Sequence, residues 1–462
     1  MDTSEKAWLP DLIYTGNRFQ SNIAIVCDHA GQILRLVPAN DAKGAIPLNN
    51  RAILPGLVNA HSHAFQRVIR GRTEYRTNTN DTFWTWREMM YSAATRLSPD
   101  DVYDSSRMAF LEMILSGITA VGEFHYLHHG PDGVAYDDPN LIAKEVVRAA
   151  GDVGLRIALL RVAYARSGYK TETNPRQLRF IEETPEAYLK NAERLITDVG
   201  HGNAWVGIAP HSVRALPLNY LKQVIDFANK RKLPVHMHVA EQPEEVTACI
   251  EEYGRSPVAL LATEGLLSKR FTGIHLIHVS PKAIHMLAGA DAMACACPTT
   301  ERNLGDGVVP VDAYFKQEVR VALGTDSQVE IDLLEDAREL EYHLRLQKIE
   351  RTVLAPANDD GHSALAARLF DCATVNGAAS IQALGGTLEP GRPADFFTID
   401  LDDPAIAGAS REDLLSSIVF SMSRTAVRDV VVGGKPIVES ARHAQQEDIV
   451  EKFKALQKRL WD

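Results

Sequence analysis

The chain has 462 residues, of which 45% are hydrophobic and 24% are charged, and these proportions are typical of a globular protein. Its 49 basic and 60 acidic side chains give a net charge of −11. Because the sequence has no block of basic residues that could neutralise phosphates, we expect no nucleic-acid partner. The apolar runs are too short to cross a bilayer, so no membrane partner is expected either. The length fits one large catalytic domain with a small satellite domain.

The amino-terminal segment and the cysteines indicate the compartment. The first residues, MDTSEKAWLPDLIYTG, contain acids where a signal peptide has basic residues, and they lack a continuous apolar segment. Five cysteines without CxxC spacing fit a reducing compartment. We therefore expect a cytoplasmic protein. The pair Cys295-Ala-Cys297 lies in the apolar run DAMACACP, which favours buried packing over metal binding.

Short β-rich segments lie at both ends of the chain. Near the start, NIAIVCD and ILRLVP are predicted strands around a Gly-containing turn, and ADFFTIDL and DVVVGGKPIVE show the same pattern near the end. We predict that residues 1–51 and 386–440 together form a small β domain. Residues 441–462 are predicted to form a carboxyl-terminal helix.

Between residues 52 and 385, β-rich apolar segments alternate with helical patterns, which is typical of a parallel sheet covered by helices. The eight candidate strands are AILPGLVNAHSH, ITAVGEFHY, LRIALLRVAY, AWVGIAPHSV, LPVHMHVAE, GIHLIHVS, DAMACACP and VRVALGTD. Intervening segments such as SPDDVYDSSRMAFLEMILSG and TPEAYLKNAERLITDVG begin with a Ser or Thr cap and end at Gly, as helices do. The predicted fold class is therefore α/β, with a (β/α)8 barrel of the TIM type at residues 52–385.

Polar residues follow these strands at their carboxyl ends, where (β/α)8 barrels carry their active sites. Strand one ends in His61-Ser62-His63, and side chains two apart on a strand point the same way. An HxH pair alone is equally typical of half-buried histidines, but strands five and eight add a third imidazole and a carboxylate. We predict one divalent metal ion, with Zn²⁺ the best match, bound by His61, His63, His238 and Asp326. His236 lies further from its strand end and is predicted to be a buried neighbour.

The order of the motifs resembles the mononuclear deaminases of the amidohydrolase superfamily across the whole chain. These motifs are PGLVNAHSH, the HxxE after strand five, His278 after strand six and GTDS after strand eight. In that superfamily a second metal is usually bridged by a carboxylated lysine or an acid near the end of strand four, where this chain has Ala-Pro-His211-Ser. The resemblance therefore implies a single metal.

Within that group, the segments HSHAFQR, FWTWREMMY, HSVR, HVAEQ and CPTTERNLGDG resemble the formimidoylglutamate deiminases. This resemblance implies hydrolysis of N-formimino-L-glutamate to N-formyl-L-glutamate and ammonia, a step of histidine breakdown. It assigns a proton shuttle to Glu241 and water activation to His278 with Asp326. It assigns substrate contacts to Gln66, Arg87, Tyr126, His211 and Arg214. Arg302 departs from the pattern, which has a small residue at that position.

The implied reaction suits these residue types. A bound metal activates water, and the departing ammonia needs a proton, which Glu241 would deliver. The substrate is a small dicarboxylate, and Arg87 and Arg214 would each bind one carboxylate. Each assignment has a structural alternative. Glu241 would be an acid at a helix amino terminus, His278 a core histidine, and Arg87 a stacked residue in an aromatic-rich loop at residues 83–86.

Three other functions stay open at this point. Another mononuclear deaminase, acting on an aminopurine or a pyrimidine, would use the same metal and glutamate, although two arginines do not suit a neutral ring. A non-catalytic barrel scaffold would lack one or more of the ligands. A binuclear amide or lactone hydrolase would bind two metals. The assembly state is open as well, with a homodimer as one candidate.

Overall fold

The strands form two separate sheets in a computed structural model that describes residues 5–76, 81–200, 202–357 and 361–462. The first five strands are β1 (Lys6–Thr15), β2 (Arg18–Gln20), β3 (Ile23–Cys27), β4 (Ile33–Pro38) and β5 (Ile46–Pro55). The next eight are β6 (Leu57–Ser62), β7 (Ile118–His125), β8 (Arg156–Ala163), β9 (Ala204–Pro210), β10 (Val235–Val239), β11 (Phe271–His275), β12 (Met293–Ala296) and β13 (Val321–Leu323). The last four are β14 (Phe396–Asp400), β15 (Val427–Val432), β16 (Lys435–Glu439) and β17 (Arg442–His443).

Strands β6 to β13 form the barrel. They pair in chain order, each parallel to the next, and a parallel bridge between Ser62 and Asp326 closes the ring. All eight predicted strands are present, so the predicted (β/α)8 fold is confirmed. Because parallel strands in a barrel end at the same rim, residues far apart in the sequence meet there.

The helices cover the barrel and begin at recognisable caps. They are α1 (Phe83–Ala94), α2 (Pro99–Leu115), α3 (Leu141–Val153), α4 (Pro185–Val199), α5 (Leu218–Arg231), α6 (Pro243–Tyr253), α7 (Pro257–Thr263), α8 (Pro281–Gly289), α9 (Pro298–Leu304), α10 (Val311–Lys316), α11 (Leu333–Lys348), α12 (Ala364–Ala373), α13 (Val375–Ile381), α14 (Leu414–Ser421) and α15 (Gln446–Trp461). The Ser98 and Thr184 side chains accept hydrogen bonds from backbone N–H groups in the first turns of α2 and α4. These caps confirm the two helices that the Ser-Pro and Thr-Pro patterns predict.

The aromatic-rich segment at residues 83–86 is the start of helix α1, so the loop prediction was wrong. Thr82 Oγ1 accepts from the Trp84 N–H at 3.3 Å, and Thr85 Oγ1 accepts from the Thr82 N–H at 2.9 Å. This reciprocal cap offsets the modest helix propensity of the aromatic residues. Arg87 therefore projects from a helix, whose backbone restricts where its guanidinium group can reach.

The second sheet combines strands from both ends of the chain, as predicted. Its order is β17-β16-β15-β14-β5-β1-β3-β4, with β2 paired to β1. The sheet extends to Pro55 and to β17, beyond the predicted limits at residues 51 and 440, and the domain limits themselves stay predictions. Arg156, at the start of β8, forms a 2.7 Å ion pair with Asp395 beside β14, which links this sheet to the barrel.

Helix α15 packs against α2, where Arg107 Nη2 lies 2.9 Å from Asp448 Oδ2. Among the described residues, no helix combines the length and apolar character that a membrane span requires.

Candidate active site

Four buried side chains converge at the rim of the barrel. The ligand atoms of His61, His63, His238 and Asp326 all lie within 4.8 Å of one another. Asp326 Oδ1 is 3.1 Å from His61 Nε2 and 3.2 Å from His63 Nε2. The Nε2 atoms of His61 and His238 are 3.2 Å apart. The structure therefore brings together the four residues that the strand ends predict as ligands.

The chemistry of this set fits a divalent cation. The Nδ1 atoms of His63 and His238 lie 2.9 Å and 3.2 Å from the backbone oxygens of Phe124 and His211. If Nδ1–H donates to these oxygens, the Nε2 lone pairs are left free for a metal. Burial lowers the pKa of His61 to about 3, despite the opposing effect of the hydrogen bond with Asp326, so this imidazole is neutral at pH 7, as a ligand must be.

The backbone around the ligands is held by a buried acid and by a glycine. The Glu123 carboxylate accepts from Ser62 Oγ at 2.5 Å and from the Ala64 N–H at 2.7 Å, so it holds the residues on both sides of His63. Gly324 passes so close to His61 that a Cβ there would lie 2.7 Å from His61 Cβ. A larger residue at position 324 would displace His61, which explains the glycine in the Gly-Thr-Asp326 motif.

A pocket opens directly onto this cluster. Its lining residues are His63, Gln66, Phe83, Trp86, Arg87, Met90, Tyr91, Tyr126, Tyr164, Phe180, His211, Arg214, His238, Glu241, His275, Leu304 and Asp326. All five residues expected to contact substrate are among them, together with Glu241. His278 is not.

His275, and not the predicted His278, lies in the pocket at the end of strand six. Strand β11 ends at His275, because φ angles of +69° at His275 and +52° at Leu276 turn the chain out of the strand. His275 is in register with Val239 of the neighbouring strand, and its Nε2 lies 3.7 Å from Glu241 Oε1. The predicted strand six, GIHLIHVS, was therefore too long at its carboxyl end.

His278 lies outside the pocket. Its Nε2 is 2.9 Å from the backbone oxygen of Asp306, a contact typical of a structural histidine. No signal in the sequence separated the two histidines, because the parallel register that ends at His275 is a property of the folded sheet.

Glu241 faces the cluster from the turn after β10. It is 7% exposed, and Ala240 before it has a φ of +54°, so the chain turns sharply between His238 and Glu241. Burial raises the pKa of Glu241, and nearby Asp326 raises it further, whereas His275 lowers it. The raised pKa brings this carboxyl closer to the neutral range in which general acids operate.

Arg87 and Arg214 form another part of the pocket wall. The Trp84 ring centroid is 4.4 Å from Arg87 Cζ and 5.8 Å from Arg214 Cζ. The Nε and Nη1 atoms of both arginines are buried, and none of them has a hydrogen-bond partner in the described part of the chain. Burial lowers the pKa of Arg87, and the nearby Arg214 contributes to this, whereas Tyr91 opposes it. Two cations are therefore held close together, and among the described residues no carboxylate forms an ion pair with either of them.

The remaining predicted contacts, Gln66, Tyr126 and His211, line the same pocket. Gln66 Nε2 donates to Tyr126 Oη at 2.9 Å, and Gln66 Oε1 has no partner among the described residues. The His211 ring packs edge-on against Tyr164, with ring centroids 4.6 Å apart. Sequence reasoning missed Tyr164, because an aromatic residue at a strand end is equally typical of the barrel core.

A second group of possible ligand atoms lies deeper, formed by His275, Cys297 and Glu301. Burial and the neighbouring Cys295 raise the pKa of Cys297 well above its ordinary value, so the thiol is neutral and a poor ligand. His236 takes no part in either group, since its Nε2 lies 2.9 Å from the Ser380 backbone oxygen. These features support a single metal site.

Arg302, which departs from the family pattern, points away from the pocket. Its Nη1 lies 2.8 Å from Glu339 Oε1 on helix α11, and Arg302 is not among the residues that line the pocket. The larger residue at this position therefore leaves the pocket wall unchanged.

Comparisons with known proteins point to one family. The amidohydrolase family matches residues 52–437. A formimidoylglutamate deiminase of Pseudomonas aeruginosa is 37% identical over 448 residues, which cover 96% of each chain. A 5-methylthioadenosine/S-adenosylhomocysteine deaminase of Caldanaerobacter subterraneus subsp. tengcongensis is 27% identical over 95% of this chain and 93% of its own. The crystal structure of an amidohydrolase from Brucella melitensis has a TM-score of 0.90 and 32% identity, and covers 99% of this chain and 100% of its own. The chain belongs to the amidohydrolase family.

Proposed function

We propose that this protein hydrolyses N-formimino-L-glutamate to N-formyl-L-glutamate and ammonia, with a zinc ion as cofactor. The observation that carries the proposal is the pair of buried guanidinium groups, Arg87 and Arg214, in the pocket that also contains Glu241 and the candidate metal ligands. The similarity to the Pseudomonas aeruginosa deiminase supports the same substrate.

The arginine pair favours a doubly negative substrate. Burying two like charges together is costly unless opposite charges compensate them, and among the described residues the Nε and Nη1 atoms of both arginines have no hydrogen-bond partner. A substrate with two carboxylates would supply one acceptor group for each guanidinium fork. A neutral aminopurine or pyrimidine would leave both cations buried and unpaired.

The opposite end of the substrate is the formimino carbon, which would lie beside Glu241. The water oxygen loses two protons as it becomes the formyl oxygen, and the terminal imino nitrogen gains two as it leaves as ammonia. Glu241 is placed to carry protons from the oxygen to the departing nitrogen, so that ammonia leaves and a formyl group remains. When bound, the divalent ion supplies Lewis-acid activation of water.

His275 is proposed to assist Asp326 in activating the attacking water, while Glu241 delivers protons to the departing nitrogen. Its Nε2 lies 3.7 Å from Glu241 Oε1, and its ring stacks on His238 with centroids 5.6 Å apart. The position of His275 within the pocket supports giving it the role in water activation that was predicted for His278.

Ammonia release across a substrate panel tests the proposal. We expect N-formimino-L-glutamate to give the highest kcat/KM and N-formimino-L-aspartate a lower value, because its carboxylates are one methylene closer together. Guanine, adenosine and cytosine should give no detectable ammonia. An aminopurine hydrolysed faster than the formimino compounds would replace this proposal with a purine deaminase.

We expect the purified protein to retain about one equivalent of divalent metal after dialysis, because the four ligands complete one site. Elemental analysis measures the number of metal ions bound per chain. His238→Gln should lose the metal, whereas His236→Gln, on the same strand but outside the cluster, should keep it. If the protein retained a second equivalent of metal and needed it for activity, a binuclear hydrolase would be favoured.

A further inference from the structure

Glu301 lies behind the active site and has no part in the proposed chemistry so far. It is on helix α9, is 2% exposed, and does not line the pocket. It follows strand β12 within the segment CPTTERNLGDG. Burial raises the pKa of Glu301, whereas the hydrogen bond with His275 lowers it. A buried acid of this kind calls for a physical reason, because a neutral residue would fill the same space at lower cost.

Two contacts hold the Glu301 carboxylate in place. Its Oε1 accepts from the Cys297 N–H at 2.9 Å, and the same oxygen lies 3.1 Å from His275 Nδ1. The backbone contact anchors the carboxylate to the start of α9. Glu301 therefore presents a fixed acceptor to the imidazole ring.

The opposite nitrogen of the ring faces the reacting groups. A carboxylate beside Nδ1 favours a proton on that nitrogen, and the proton on one imidazole nitrogen determines what the other can do. With Nδ1–H donated to Glu301, His275 Nε2 is directed to the side of Glu241, 3.7 Å away. The His275 ring also lies nearly parallel to the His238 ring, with centroids 5.6 Å apart and 13° between the ring planes.

We propose that Glu301 is the positioning residue for His275, whose Nδ1–H it holds so that Nε2 faces Glu241 and the substrate. The inference rests on the proposed function, since it gives His275 a part in that reaction. The alternative is that Glu301 only caps the start of α9 through the Cys297 N–H.

Glu301→Gln separates these two roles. The glutamine oxygen can still accept from the Cys297 N–H, so a capping role would survive, but the negative charge beside His275 is lost. In the metal-loaded enzyme we expect kcat to fall about 10- to 100-fold, the range found for groups that orient a ligand or a catalytic side chain. We expect KM to change by less than about threefold and the metal content to stay the same.

Glu341→Gln is the matched control. Glu341 is fully buried and accepts from the Val353 and Leu354 N–H groups at 2.9 Å each, but it does not line the pocket. This variant should lower the melting temperature and leave kcat unchanged. In a double-mutant cycle, Glu301→Gln should add little to the loss caused by His275→Gln, because the two residues act as one unit.

A measurement without substrate keeps this inference separate from the proposed function. In ¹⁵N-histidine-labelled holoenzyme, the resonance that disappears in His275→Gln should show a protonated Nδ1 with a downfield proton, and this proton should move upfield in Glu301→Gln. A bare Nδ1 in the parent protein would overturn the proposal, even if the variant failed to fold. Parental kcat in Glu301→Gln, or losses that simply add in the cycle, would overturn it as well.

Discussion

Glu241→Gln should keep the metal and lose most of the turnover. General acid–base groups contribute roughly 10²- to 10⁴-fold to rate, and Glu241 is proposed to act on both the attacking water and the departing nitrogen. We expect kcat to fall within that range, because the amide cannot carry the proton between the two positions. Ammonia release and elemental analysis on the same preparation measure the two effects.

Glu244→Gln provides the control for this variant. Glu244 lies three residues further along the chain, in the first turn of helix α6, and is exposed, so its substitution removes the same charge without touching the pocket. Its activity should match that of the parent. If Glu241→Gln were fully active, or came back without metal, the proton-shuttle role would have to move to another residue.

Replacing Arg87 or Arg214 by methionine should lower kcat/KM for N-formimino-L-glutamate by roughly 30- to 5,000-fold. Removing one partner of a desolvated, hydrogen-bonded charge pair costs about 2 to 5 kcal/mol, and each arginine is proposed to bind one substrate carboxylate. Methionine fills much of the space of the arginine stem without its charge. Steady-state kinetics measure the change, and the metal content should stay the same.

Two controls make the arginine result specific. Arg176 pairs with Glu88 on the same helix as Arg87, at 2.6 Å, and is half exposed. Arg176→Met should therefore change kcat/KM by less than about 0.5 kcal/mol, as surface substitutions usually do. The second control is a formimino substrate that lacks one carboxylate. Against it, one of the two arginine variants should become nearly silent, while the other still shows its full effect.

Parental activity in both arginine variants would exclude the dicarboxylate substrate. The buried guanidinium groups would then need another partner, and the aminopurine and pyrimidine deaminases would be the next functions to test. A loss in only one variant would indicate a substrate with a single carboxylate.

The amino-acid sequence alone determined the fold of this protein and the four residues of its candidate metal site. The eight strands appear as separate apolar segments, and the caps at Ser98 and Thr184 mark where two helices begin. His61, His63, His238 and Asp326 were predictable because each lies at or just after a strand end, and the barrel brings such positions to one rim. The strands and the helix caps can be predicted from residues that are adjacent in the sequence. The ligand positions can be predicted because strand ends meet at one rim in every (β/α)8 barrel.

Only the tertiary structure decided which histidine of GIHLIHVS enters the pocket. His275 and Leu276 adopt positive φ angles, a conformation that residues with side chains rarely adopt. No local pattern in the sequence predicts it, because packing against the neighbouring strand imposes it. The choice between His275 and His278 therefore required coordinates.

The same holds for contacts between distant segments. Glu301 meets His275 across 26 residues, and Arg87 meets Arg214 around the Trp84 ring although the two arginines belong to different parts of the barrel. Residue types and strand ends identify the chemistry that is present. Side-chain packing decides which charged groups in the pocket are unpaired and which have a partner. This packing involves segments that are far apart in the sequence, so no single segment predicts it.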